Sequence, residues 1–99
     1  MKKILTPIII ALIILSCADK KSTSDNPLGK KVYKQNCVVC HGIDGKLGAN
    51  GSKDLTMSKM SLEERKAIVK NGKGAMVGLG GLLKPEQIHA VAEYSMNFK

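Results

Sequence analysis

At 99 residues the chain has length for one small domain, and its 43% hydrophobic content overstates the core because much of it falls in the first fifteen positions. Sixteen basic residues against eight acidic ones give a formal charge of +8, yet the only aromatic side chains are two Tyr and one Phe. Positive charge without an aromatic stacking platform speaks against nucleic acid as a partner.

Lys2 and Lys3 precede an apolar run from Ile4 to Leu15. About twelve residues fall short of the roughly twenty that a membrane-spanning helix needs, and Pro7 interrupts them, so residues 1–16 read as a signal peptide. The run ends in Ile14-Leu15-Ser16-Cys17, which resembles the lipobox of bacterial lipoproteins, with Ile14 where Leu is more usual. In that motif the signal is cut before the cysteine and its thiol receives a lipid. Three cysteines in an exported chain leave one odd thiol, and lipidation of Cys17 accounts for it. The alternative is a secreted chain with another cleavage site. Acyl chains on Cys17 would hold the protein on a membrane, facing the periplasm or the cell exterior. Loss of Lys2 and Lys3 with the leader takes two of the sixteen basic residues and lowers the formal charge to +6.

After Cys17, Ala18 to Asn26 reads ADKKSTSDN, which has no apolar periodicity and cannot form a core. Residues 17–26 are therefore expected to be the lipidated terminus and a flexible tether of roughly 15 to 18 Å root-mean-square span. The folded domain is expected over 27–99. Asn26-Pro27 is a helix-start signature, because Asn caps free amides and Pro at the first helical position gives up no needed donor. It predicts a helix from about Pro27 to Asn36, with Gly29, Val32 and Tyr33 inward and Lys30, Lys31, Lys34 and Gln35 outward.

Cys37-Val38-Val39-Cys40-His41 follows at once. C-x-x-C-H is the attachment signal of c-type haem. On one helical turn Cys37 and Cys40 share a face, so each can add to a vinyl group of a single porphyrin while His41 lies beneath the iron. A thiol–disulfide site would need a βαβ context that the chain lacks, and a structural zinc site needs four ligands, for which the chain beyond this stretch offers only His89 and the already assigned Cys17.

Gly42 to Gly51 holds four glycines and is expected to be a loop under the haem. Ser61 and Glu64 form a capping-box pattern, and Gly72 closes the predicted helix at about Asn71. Leu62, Ile68 and Val69 supply its apolar faces, with Arg65, Lys66 and Lys70 expected in solvent. Residues 72–81, GKGAMVGLGG, place five glycines around Met76, a loop suited to close approach of a flat cofactor. A thioether can bind low-spin iron, and this setting favours Met76 over Met57, Met60 or Met96, for which the ordinary gap-filling role of Met is enough. A last helix begins near Pro85, with Ile88, Val91 and Tyr94 on one face and Glu86, Gln87, His89 and Glu93 outward.

From about residue 27 to 99 the chain resembles a small class I cytochrome c. The matching residues are Gly29 and Tyr33; Cys37, Cys40, His41 and Gly42; Leu55 and Ile68; Gly72-Lys73-Gly74-Ala75-Met76; and Leu83, Ile88, Val91 and Tyr94. The resemblance implies an all-α fold of three to four helices around one covalently attached haem. It also implies thioethers at Cys37 and Cys40, axial ligation by His41 and Met76, and a crossing of the first and last helices where Gly29 and Tyr33 meet Tyr94. The family usually has Pro after the ligand Met; Val77 stands here and leaves the loop less constrained.

With both axial positions taken by protein, the iron has no place for a substrate, which points to a membrane-tethered one-electron carrier rather than an enzyme. The rival readings are a fixed haem subunit of a larger oxidoreductase complex, and a haem enzyme or gas sensor with a labile Met76. Lys46, Lys53 and Lys73 fall in the loops expected to border the haem, where a positive rim would steer an acidic redox partner.

Overall fold

The computed structural model of the protein describes residues 26–99; the leader, Cys17 and the tether up to position 25 lie outside the described residues. The first helix, α1, runs Pro27–Asn36 as its sequence predicts. Asn26 fixes its start twice over: its Oδ1 accepts from the Gly29 amide at 2.8 Å, and its Nδ2 donates to the Ala90 carbonyl at 2.7 Å. A short second helix, α2, spans Val38–His41 and is continuous with α1 through the Cys37 amide, which donates to the Tyr33 carbonyl at 2.8 Å.

The stretch expected as plain loop after His41 contains a 3-10 turn at Ala49–Gly51, and a second follows at Leu55–Met57. The Asp54 carboxylate closes the second by accepting from the Thr56 amide at 2.9 Å and the Thr56 hydroxyl at 2.5 Å. Those bonds favour its charged form and hold its carboxyl below the usual range. Helix α3 spans Leu62–Asn71 and starts on Ser61, whose Oγ accepts from the Glu64 amide at 3.2 Å.

Residues 72–81 are not simply a loop. Gly72–Lys73 (β1) and Met76–Val77 (β2) pair antiparallel, with Gly72 opposite Val77 and Lys73 opposite Met76. The turn between them is Gly74-Ala75, where Gly74 takes φ +58°. The hairpin is tied back to the end of α3, because Leu79 donates to the Val69 carbonyl at 2.7 Å and Gly80 to the Lys70 carbonyl at 3.0 Å. Helix α4 spans Pro85–Ser95 and is opened by the Gln87 side chain, which accepts from the Lys84 amide at 2.8 Å. His89 is exposed, 3.3 Å from Glu93. No helix among the described residues is long and apolar enough to cross a membrane.

The core is Val32, Tyr33, Cys37, Val69, Leu83, Ile88 and Val91, with Val38, Leu55, Leu79, Tyr94 and Phe98 packed around it. Tyr33, Tyr94 and Phe98 form a triangle with centroid separations of 5.3, 5.0 and 5.7 Å, the last pair edge to face. All three aromatic residues of the chain thus meet where α1 crosses α4, in geometries that such rings favour.

Arg65 departs from expectation. It is 8% exposed rather than solvated. Its Nε donates to the Met60 carbonyl at 3.0 Å, Nη1 to the Ser95 carbonyl and hydroxyl at 3.0 Å each, and Nη2 to the Ser58 carbonyl at 3.3 Å. Its planar fork can hold several oxygens at once, which offsets the cost of burying the charge. Arg65 thus ties the segment before α3 to the end of α4.

A Cβ on Gly29 would run into the Ala90 carbonyl oxygen and stand 2.5 Å from Asn26 Nδ2. Gly29→Ala should therefore destabilise the domain by about 1–3 kcal/mol, although Ala is the better helix former, as read from urea unfolding followed by circular dichroism.

Candidate functional site

The five residues of the C-x-x-C-H stretch occupy one turn. Cys37 precedes α2, the Cys40 and His41 amides both donate to its carbonyl at 3.2 and 2.9 Å, and the turn ends at Gly42. Gly42 takes φ +79°, where an L side chain is strained, and a Cβ there would lie 2.8 Å from Leu47 Cβ. The chain can therefore double back so that the Leu47 amide donates to the His41 carbonyl at 3.0 Å. The Tyr33 hydroxyl donates to the Gly42 carbonyl at 2.5 Å, which anchors the reversal to α1.

His41 is buried, and its Nδ1 lies 3.0 Å from the Lys53 carbonyl. A carbonyl can only accept, so Nδ1 carries the hydrogen and Nε2 keeps a free lone pair, the tautomer that a metal-binding imidazole needs. Cys37 is buried and Cys40 half-buried, and neither is in a disulfide. Burial, reinforced by the neighbouring Cys40, pushes the Cys37 thiol up to about 11.

Met76 stands on a separate element, half-buried on β2. Of the other methionines, Met57 is mostly exposed and Met96 sits at the C-terminal cap of α4, partly exposed. Val77, in the position the family usually gives to Pro, pairs with Gly72, so the hairpin ladder constrains a segment that lacks the ring.

The donor set fits haem c: two thiols on one turn beside an imidazole with Nε2 free, and a thioether on another element. The surroundings fit as well. Ile43 and Leu47 after His41, and Val77 and Leu82 after Met76, are large apolar side chains left mostly exposed, the kind of lining that an apolar macrocycle covers. Two contributors to the site had no sequence signal. The Lys53 carbonyl is a backbone group that residue identity does not mark, and the Tyr33 hydroxyl finds its acceptor only through the left-handed turn at Gly42.

The comparisons agree with this geometry. The family model described as cytochrome C oxidase, cbb3-type, subunit III matches residues 24–94. Cytochrome c6 of Gloeothece citriformis (strain PCC 7424) is 39% identical over 102 residues, covering 95% of this chain and 92% of that protein. Among solved structures, the KustC0563 c-type cytochrome superposes with a TM-score of 0.66 at 28% identity, covering 72% of this chain and 96% of that one. Cytochrome c6C from Synechococcus sp. PCC 7002 superposes with a TM-score of 0.62 at 29% identity, covering 70% and 90%. The chain belongs to the cytochrome c family, as a small class I protein with a single haem. It carries one covalently bound haem c and is an electron carrier rather than an enzyme.

Burial raises the Tyr33 hydroxyl above its ordinary value near 10, so the folded state keeps a proton that the unfolded chain loses. This contribution is fully present below pH 10 and is lost as pH rises beyond it. Tyr33→Phe should cost about 1–2 kcal/mol at pH 7, and its stability should fall less steeply between pH 9 and 11, as read from urea unfolding at each pH.

Proposed function

We propose that the protein is an exported, membrane-tethered one-electron carrier. Cys37 and Cys40 form the thioethers, His41 and Met76 are the axial ligands, and Cys17 bears the lipid. The observation that carries the reading of the haem site is the His41 to Lys53 hydrogen bond, which fixes the ring and leaves Nε2 to bind. When bound, the haem supplies an iron that exchanges one electron without a vacant position for substrate. The chain's own part is to hold that iron. The Lys53 carbonyl fixes the ring of His41, the Gly42 reversal ties the Leu47 amide back to the His41 carbonyl, and the hairpin tied to α3 carries Met76. Lys46 and Lys53, in the segment after His41, and Lys73, on β1, are all exposed and support a positive rim that steers an acidic redox partner.

The description of the matched family model favours one second reading, a haem subunit that stays bound in an oxidase complex. Purification in mild detergent separates the two: a carrier elutes alone, a subunit with its complex.

Cys37→Ala combined with Cys40→Ala should leave haem that acid and organic solvent extract, whereas wild type should retain it. Met76→Ala should lower the reduction potential and let the reduced protein bind carbon monoxide, because a thioether favours ferrous iron and fills its sixth position. If Met57→Ala or Met60→Ala did so instead, the ligand assignment would move there.

Radiolabelled fatty acid should enter wild type and not Cys17→Ser, which should accumulate as a larger precursor. Equal labelling of the two would show that Cys17 carries no lipid.

A further inference from the structure

The outward side of α1 has a charge pattern that the haem site does not use. Pro27, Lys30, Lys31, Lys34 and Gln35 are all exposed and line one shallow, open depression. At about 100° per residue the three lysines fall within a sector of about 100°, on the far side of α1 from buried Gly29, Val32 and Tyr33. No acidic residue occurs anywhere in α1. By contrast, α3 sets Glu63 3.4 Å from Lys66, and α4 carries both Glu86 and Glu93.

This face suits a diffuse anionic plane better than a protein. A specific protein interface draws its affinity from buried aromatic or aliphatic anchors, and the depression has no large apolar side chain in its lining. Lysine is a hydrated, flexible point charge, well matched to headgroups that rearrange around it. Of the large exposed apolar side chains, only Leu28 lies on α1, outside the lining of the depression, and Ile43, Leu47, Val77 and Leu82 belong to other segments. Position in the chain supplies the plane. Nine residues, Ala18 to Asn26, separate Cys17 from Pro27 and cannot reach further than roughly 35 Å even when extended; they add Lys20 and Lys21.

We propose that the Lys30, Lys31 and Lys34 face of α1 docks on anionic phospholipid headgroups, an inference that rests on the Cys17 anchor for its constant proximity to the bilayer. Docking this way holds α4, which packs on the opposite side of α1, away from the membrane.

The test uses purified holoprotein with vesicles of phosphatidylcholine alone or of phosphatidylcholine with phosphatidylglycerol, at low salt. Sedimentation with the neutral vesicles reads the anchor. Acetylation by a water-soluble reagent, read by mass spectrometry, maps the docked face. Lys30, Lys31 and Lys34 should react several-fold more slowly on the anionic vesicles than on the neutral ones, while Lys59 and Lys99 should not change. Binding of the Lys30→Glu, Lys31→Glu, Lys34→Glu variant to anionic vesicles should weaken about tenfold or more relative to a Lys59→Glu, Lys70→Glu, Lys99→Glu variant of equal charge. Failure to sediment with neutral vesicles would remove the anchor, and the protection pattern on anionic vesicles would still decide the face. Equal acetylation of all lysines overturns the proposal. So does an α1 variant that keeps its vesicle binding and instead slows electron transfer to a protein partner, because the face would then belong to that partner.

Discussion

The structure depends on the approach of Gly29 to the carbonyl of Ala90. There is no room for a side chain between them, and Asn26 bridges the same carbonyl while it caps α1, so helix start and helix crossing are set by one residue pair and one absent Cβ. The crossing places Tyr33 against Tyr94 and Phe98 and leaves it 2% exposed. From there its hydroxyl reaches the Gly42 carbonyl and fixes the turn that carries His41. Contacts remote from the attachment turn thus determine where His41, the proposed iron ligand, sits.

The site itself is economical because so much of it is backbone. The carbonyls of Cys37, Lys53 and Gly42 hold the attachment turn, orient the imidazole and anchor the reversal that follows. A change of side chain at Lys53 leaves its carbonyl in place, whereas a change in the path of the chain does not. The left-handed Gly42 is therefore more tightly constrained than the charged residues near it.

Much of this was legible from residue order, and what was not has physical reasons. The Asn-Pro start and the period of Gly29, Val32 and Tyr33 delimit α1 to its observed ends, because capping and burial there are local. The attachment turn follows from the spacing of Cys37, Cys40 and His41. Helical periodicity places Arg65 in solvent because it cannot register a guanidinium that finds two of its acceptors thirty residues away at Ser95. The hairpin at 72–77 looks like loop in the sequence because its glycines mask a pairing of only two residues on each side. Val77 illustrates the compensation: it lacks the ring usual in the family, but its pairing with Gly72 restrains the same stretch.

That hairpin has one more consequence. Leu79 and Gly80 bind it to the last turn of α3, while the attachment turn is bound to α1 through Tyr33 and Cys37. The two proposed iron ligands therefore hang from different helices, and the covalent thioethers would secure only one of them. A transient opening that frees α3 with its hairpin would carry Met76 away while His41 stays with its turn, so the sixth position would be governed by the lifetime of α3 on the core rather than by motion of the methionine side chain.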